Sequence, residues 1–426
     1  MNPFTAQASQ LSRDEHLIAL EDSEWDLIIL GAGVAGAAAA ILAARSGFRT
    51  LLVDAKSFPR EKVCGGCLNR RAQAALERLG VLQQLHQAGA VPITSLHLKI
   101  DKTSVVWNIP TLLSVRRSTL DSELVRAAID SGAFFLDSVS GLVVPRIDEQ
   151  TSKERFRQVR LQNLTEPKGR RVNAFANCIL VADGLTRSSL RLESGWTSTV
   201  QPSSRIGVQR MFSASQVSSV NSRGLFPANQ LQMIVSKDGY VGISRTDGDL
   251  VDIAGAIDPK SIAKRGSIAK TVCGIIGDAK DGPLFAYEKP NGKPDSFPDD
   301  MPQDTSEDWL ATPALTRSST RVASDRVFLL GDSIGYIEPF TGEGMSWALA
   351  SAEAVMPLVS KSIGSTWHDG LSREWMSWVD SQRRQKQKTC WWISRQLRRL
   401  SVAAWTLRLC NSLYPIRAAL IKKVTS

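Results

Sequence analysis

Gly31-Ala32-Gly33-Val34-Ala35-Gly36 follows a mostly apolar run, Trp25 to Leu30, and opens an alanine-rich stretch that continues to Arg45. The apolar run, bounded by polar residues, predicts a parallel strand buried on both faces. Gly31 allows a tight turn, Gly33 lets a pyrophosphate approach the backbone, and Gly36 lets the following helix pack closely on the strand. Ala35 lies in the same turn, and Gly47 stands where a left-handed cap would end the helix. The helix N-terminus offers N–H groups and partial positive charge to a diphosphate. Thr50 to Val53 predicts a second strand, which delivers Asp54, with Ala55 next to it, where a carboxylate accepts ribose hydroxyls. Strand, turn, helix and acid in this register predict a dinucleotide site.

Two later strand ends choose between nicotinamide and flavin. Cys178 to Ala182 predicts a strand ending in Asp183-Gly184, and Arg326 to Leu330 another ending in Gly331-Asp332. A carboxylate at such an end binds ribityl or ribose hydroxyls, or else caps the next helix. Pro339-Phe-Thr-Gly342-Glu-Gly344-Met345 then leads into a helix that runs from Ser346 to Val355. The dipole of that helix suits negative charge on a reduced flavin ring. A plain nicotinamide site needs only the first turn, so the three strand ends together predict FAD.

The chain resembles the flavoprotein superfamily that contains para-hydroxybenzoate hydroxylase, and within it the branch of geranylgeranyl reductases and related FAD-dependent monooxygenases. The residues that carry this likeness are Gly31 to Gly36, Pro59-Arg60-Glu-Lys-Val-Cys64-Gly65-Gly66, Arg117-Ser-Thr-Leu-Asp121, Ala182-Asp183-Gly184, and Gly331-Asp332 through Met345. The resemblance implies that Arg60 belongs to a cofactor-binding segment and that Arg117 contacts the phosphate or adenosine side. It implies that Asp332 serves the ribityl and pyrophosphate region, that Gly342 to Met345 meet the flavin ring, and that Cys64 and Gly65 lie in a loop near the ring.

An α/β fold follows, with a Rossmann-type FAD-binding domain (23–95, 114–200 and 309–362) interleaved with an antiparallel-sheet substrate domain (96–113 and 201–308). Residues 1–22 read as a polar lead-in and 363–426 as a basic helical region. Short runs such as Gln232 to Val235 and Tyr240 to Ser244 supply strands of the substrate sheet, while Lys289 to Asp308, rich in Pro and Asp, reads as a loop. A hydrophobic fraction of 43% over 426 residues is enough for more than one core. Six cysteines in so long a chain do not make a disulfide framework, and the first twenty residues carry no signal-type apolar segment. The expectation is a reducing, cytoplasmic setting. No run of eighteen apolar residues is present, so no bilayer span is expected.

Cys64-Gly-Gly-Cys67 admits a metal or a redox-dithiol reading. A second CxxC is missing and the four histidines, His16, His86, His97 and His368, are scattered, so no metal site is expected. A dithiol oxidoreductase would carry a second dinucleotide turn, which is also missing; Cys64 as a loop residue is the simpler account.

Net charge is +10, and from Ser381 to Ser426 there are 11 Lys or Arg with no Asp or Glu, which leaves the remainder close to neutral. On a helical wheel Ile393, Leu397, Leu400, Ala404 and Leu407 share a face opposite Arg395, Arg398 and Arg399, and Trp391, Trp392, Trp405 and Tyr414 accompany them. Such a segment either docks on an anionic membrane surface, making the enzyme peripheral, or packs on the body with its arginines solvated. Nucleic acid is not expected, because no binding motif accompanies the charge.

For the reaction, the sequence favours an NAD(P)H-driven monooxygenase that uses O₂ to hydroxylate or epoxidise a lipophilic or aromatic substrate. The alternative is reduction of prenyl double bonds. Archaeal-type prenyl reductases carry Tyr-x-Trp-x-Phe-Pro in the substrate sheet, whereas Tyr240-Val-Gly242-Ile-Ser244 lacks the Trp and the Pro. Below these stand a halogenase, for which Trp107-Asn-Ile-Pro110 is only a partial echo, and a non-enzymatic flavin carrier. No residue is assigned as a general acid or base from the sequence.

Overall fold

Ser23–Leu30 lies between two parallel neighbours, Thr50–Val53 on one side and Arg171–Val181 on the other. The computed structural model describes residues 12–100, 103–146, 155–213, 227–277, 309–338, 342–364 and 367–386. In the cofactor sheet, Phe134–Leu136 adds in parallel beyond Thr50–Val53, and Val327–Leu329 adds in parallel beyond Arg171–Val181. From the central strand the chain first builds outward one way and later returns to the other side. The strand order therefore reverses between Ser23–Leu30 and Arg171–Val181, which is where ligands settle in open parallel sheets. Leu27, Ile28, Ile29 and Leu30 are all buried, as expected of a strand covered on both faces.

The helix Val34–Arg45 covers one face of this sheet with alanines, and Gly344–Gly364 packs against it. Small side chains let the two helices come close to each other and to the strand ends. Asp369–Lys386 closes the same end of the molecule through aromatic stacking: Trp378 lies 4.8 Å from Trp375 and 5.2 Å from Trp347, centroid to centroid.

The second sheet runs in the order Leu310–Ala314, Ile206–Ser213, Leu250–Ile257, Gly239–Thr246, Gln230–Ser236, Val91–Ile100, Thr103–Ser114 and Cys67–Leu68 among the described residues. It is antiparallel apart from the pairing of Gln230–Ser236 with Val91–Ile100. Its strands alternate cleanly. Val251, Ile253 and Ile257 join Val241 and Ile243 under the helix Ile268–Gly277, while Met233, Tyr240 and Ala256 belong to the opposite face.

Two details depart from the sequence-based boundaries. Cys67–Leu68 and the first half of Val91–Ile100 pair into the substrate sheet although 23–95 was given to the cofactor domain, and so does Leu310–Ala314 from the range 309–362. Hydrogen-bonding partners far along the chain decide membership of a sheet, and local composition does not report them. Helices Pro259–Arg265 and Ile268–Gly277 also stand where only short strands were expected. Asp258 accepts from the Lys260 N–H ahead of Pro259 at the first helical position, a helix-start signal present in the sequence. The segments 1–11, 278–308 and 387–426 lie outside the described residues, and with them the loop from Lys289 and the amphipathic tail.

Candidate cofactor and substrate site

The glycine turn is as tight as the spacing predicts. A Cβ on Gly31, whose φ is +104°, would stand 2.5 Å from the Ala182 carbonyl oxygen, and one on Gly36 would stand 1.8 Å from the Gly31 carbonyl oxygen. The two parallel strand ends and the following helix thus meet at backbone contact, which only hydrogen in place of a side chain permits. Gly33 differs, because a Cβ there would meet the guanidinium of Arg60 at 3.3 Å and that of Arg117 at 3.6 Å.

Those two arginines form a buried charge cluster over the turn. Arg117 grips Asp121 through two hydrogen bonds of 3.0 and 2.8 Å, and Arg60 approaches Asp121 at 3.2 Å and Asp54 at 3.3 Å. Burial works against the Arg117 charge, yet the Asp121 carboxylate beside it holds the guanidinium above its ordinary value. Arg60 Nε is buried and has no hydrogen-bond partner. A buried, unpaired cationic N–H beside a glycine turn and a helix N-terminus matches the needs of a diphosphate. Asp54 ends its strand, and its Oδ2 accepts from the Ala32 N–H at 2.8 Å. The residues present therefore fit FAD: Gly33, Arg60 and Arg117 would hold its phosphates.

From this cradle one continuous cavity extends to the substrate sheet. Of the residues picked out from the sequence, Gly33, Ala35, Cys64, Gly65, Arg117, Gly184, Gly331, Asp332, Gly342, Gly344 and Met345 line it. Gly31 and Gly36 lie beneath the lining as packing points, Ala55 is exposed, and Asp54 and Arg60 sit behind the turn. Asp183 is turned inward: its carboxylate accepts from the Ser189 N–H at 2.8 Å and from the Ser189 and Ser333 hydroxyls, and it makes no side-chain cap bond to the short helix Gly184–Thr186 that follows it. Burial raises its pKa. Pro339 lies outside the described residues. Asp332 faces Lys62 at 3.6 Å, and Cys64 Sγ lies 4.0 Å from Met345 Sδ, so the Cys64 loop and the start of Gly344–Gly364 meet across the cavity.

The far wall comes from the sheet. Leu96, Ile109, Leu112, Leu231, Met233 and Leu315 line it, with Tyr240, Gly242 and Ser244 from the strand the sequence analysis compared with prenyl reductases. Sequence reading missed two polar residues here, Asp252 in the wall and Gln209 buried behind it. Gln209 holds the loop at Cys64, accepting from its N–H at 3.1 Å and donating to its carbonyl at 2.8 Å, and the same amide donates to Asp252 Oδ1 at 2.9 Å. A lone acid within the apolar strand Leu250-Val-Asp252-Ile-Ala was the available signal. The Cys67 thiol lies nearby, pushed up to about 12 by burial, which leaves it a protonated wall residue. Among the described residues no histidine lines the cavity and no group of three metal-ligating side chains occurs.

Residues 26–90 match the family described as FAD dependent oxidoreductase. That match, together with the cradle over the glycine turn, supports an FAD-dependent oxidoreductase. This oxidoreductase is 34% identical over 182 residues to a menaquinone reductase of Mycobacterium tuberculosis; the match covers 41% of this chain, and it spans about two fifths (41%) of that relative's length. Over 390 residues, 86% of the chain and 85% of the relative, it is 22% identical to digeranylgeranylglycerophospholipid reductase 3 of Methanosphaera stadtmanae. Its structure superposes on that of the flavin-dependent brominase Bmp2 with a TM-score of 0.72, over 95% of this chain and 94% of the other, at 14% identity. That last likeness is one of fold.

Proposed function

We propose that this oxidoreductase adds hydrogen across a carbon–carbon double bond of a long lipophilic substrate, of the prenyl or prenylated-quinone class. The observation that carries the reading is the far wall of the cavity. Leu96, Ile109, Leu112, Leu231, Met233 and Leu315 make an apolar surface next to the Cys64 loop, which suits a hydrocarbon chain and offers no fixed positive charge among them to recognise an acid. When bound, reduced FAD supplies a hydride. The chain's own residues hold the cofactor phosphates, keep the substrate dry and fix its unsaturated carbons beside the ring. Two relatives matched by sequence are named as reductases, which supports this order of preference over the oxygenation the sequence alone favoured.

Oxygenation is the second reading, and one observation favours it. The strand Tyr240 to Ser244, which lacks the Trp and Pro of archaeal-type prenyl reductases, contributes Tyr240, Gly242 and Ser244 directly to the cavity wall. A departure in direct substrate contact is where a change of chemistry would be written. In either reading a nicotinamide of the NAD(P)H type is the proposed electron donor, visiting the flavin without a domain of its own. The basic segment from 381 to 426 supports delivery of the substrate from an anionic membrane surface.

One experiment separates the two. The FAD-loaded enzyme is reduced anaerobically with NADPH, given geranylgeranyl diphosphate or a prenylated quinone, and the product is weighed by mass spectrometry with and without an oxygen pulse. A gain of two hydrogen atoms without oxygen supports reduction. Turnover that requires oxygen and adds one oxygen atom overturns it in favour of the monooxygenase.

A further inference from the structure

We propose that Asp252 is a catalytic residue of this site, the donor of the proton that completes double-bond reduction; the inference rests on the reductase reading above. Its geometry makes the case. Asp252 sits on Leu250–Ile257, where Asp252, Ala254 and Ala256 face the cavity and Val251, Ile253 and Ile257 face the opposite core. It is 3% exposed. Oδ1 is fixed by the Gln209 amide, while Oδ2 has no hydrogen-bond partner among the described residues. A Cβ added to Gly66, in the loop just past Cys64, would lie 3.7 Å from that oxygen. The carboxyl thus stands between the apolar wall and the loop that meets Met345, with one oxygen anchored and the other open to the cavity.

The surroundings keep this group protonated near neutrality. Burial pushes Asp252 up to about 7, with the Glu61 carboxylate adding to the rise and the Gln209 hydrogen bond opposing it. Cys67 is the other titratable group recorded against it, and its thiol is neutral at this pH. Across the strand ladder its neighbours are Ser244 and Met211, which carry no charge. Among the described residues no ion pair reaches the Asp252 carboxyl, whereas Asp121 lies against two arginines.

The step balances. The π bond of the substrate breaks; one carbon gains a new C–H bond from the hydride of reduced FAD, and the neighbouring carbon gains the proton of Asp252. The carboxylate left behind takes a proton from solvent at the cavity mouth, and a nicotinamide-type hydride donor returns the flavin to its reduced form. Gln209 is a positioning residue: by bonding both Cys64 and Asp252 it ties the carboxyl to the loop beside the ring.

The test combines an infrared titration with single-turnover kinetics on the full chain. In FAD-free protein, infrared difference spectra between pH 5 and 9 should show a protonated-carboxyl band lost near pH 7. The band should be missing in Asp252→Asn, and in Gln209→Met its midpoint should move upward, because the hydrogen bond that favours the ionised form is gone. With FAD reduced in advance, saturation by Asp252→Asn should slow about 10²- to 10³-fold. Asp252→Glu should recover part of the rate, and only wild type and the Glu variant should slow as pH rises through 7. No titrating band near neutrality, or an Asp252→Asn rate and pH profile equal to wild type while product still forms, overturns the assignment to Asp252. A wild-type enzyme that yields no saturated product overturns the reductase reading itself, and the assignment with it. Unchanged circular dichroism and FAD retention in Asp252→Asn separate a chemical defect from a folding one.

Discussion

The two ends of the cavity treat buried charge in opposite ways. At the cofactor end Arg60, Arg117, Asp54 and Asp121 are joined by hydrogen bonds and ion pairs where little water reaches them. At the substrate end Asp252 has an amide for a partner and stays protonated well above the usual carboxylate range. A buried carboxyl is paired with guanidiniums in one place and with an amide in the other, and burial without a cation is what raises the pKa of the second. Binding a diphosphate needs permanent charge, whereas moving a proton needs a group poised near the working pH.

The sharpest break is at the cofactor end. Gly36→Val puts a side chain against the Gly31 carbonyl, where there is no room to yield, and we expect a loss above about 4 kcal/mol. Purified protein should be colourless and lack a cooperative melt; a yellow, stable variant would contradict the close packing. Next comes Arg117→Met, which leaves Asp121 buried with Arg60 as its remaining ion-pair partner. Chemical denaturation should report a destabilisation of about 3 kcal/mol, with weaker FAD binding by fluorescence titration.

The substrate end responds with the opposite sign. Asp252→Asn should stabilise the protein at high pH, by on the order of 2 kcal/mol. The folded-state pKa of about 7 lies above the ordinary 3.8, so the native protein holds its proton longer than the unfolded chain. Wild-type stability therefore falls as pH rises from about 4 to about 7 and is flat beyond. Melts at pH 4 and pH 8 should find the variant's advantage only at pH 8, and equal differences at both would exclude the assigned shift.

A smaller effect should touch substrate alone. A Cβ on Gly242 would meet Met233 Sδ at 3.0 Å in the apolar wall, so Gly242→Leu should raise KM about tenfold, ~1.4 kcal/mol, with FAD affinity unchanged. Smallest for catalysis is truncation after Lys386. Rates with detergent-dispersed substrate should hold while co-sedimentation with anionic vesicles falls; undiminished co-sedimentation would remove the membrane part of the proposal.

Much of the cofactor end is written locally. Glycines at a fixed spacing, the strand before them and the acid after Thr50 to Val53 act over about thirty residues, so short-range sterics reveal them. The helix Val34–Arg45 stops at the Arg45 that the sequence reading proposed, and the strand Thr50–Val53 has both of its proposed ends. Asp183 shows where that legibility stops. An acid at a strand end reads alike whether it meets a ligand or caps a helix, and Ser189 and Ser333, the partners its carboxylate takes in the fold, come together only in three dimensions.

By itself the sequence determined that parallel strands end in glycine turns and acids suited to FAD, because those features depend on backbone sterics between near neighbours. Only the tertiary structure decided that Gln209 and Asp252, on adjacent strands, would meet the Cys64 loop more than a hundred residues earlier in the chain. It also decided that, among the described residues, no cation pairs with that acid. Ionisation inside a protein is governed by what burial brings within a few ångströms, and that proximity is a property of the folded chain.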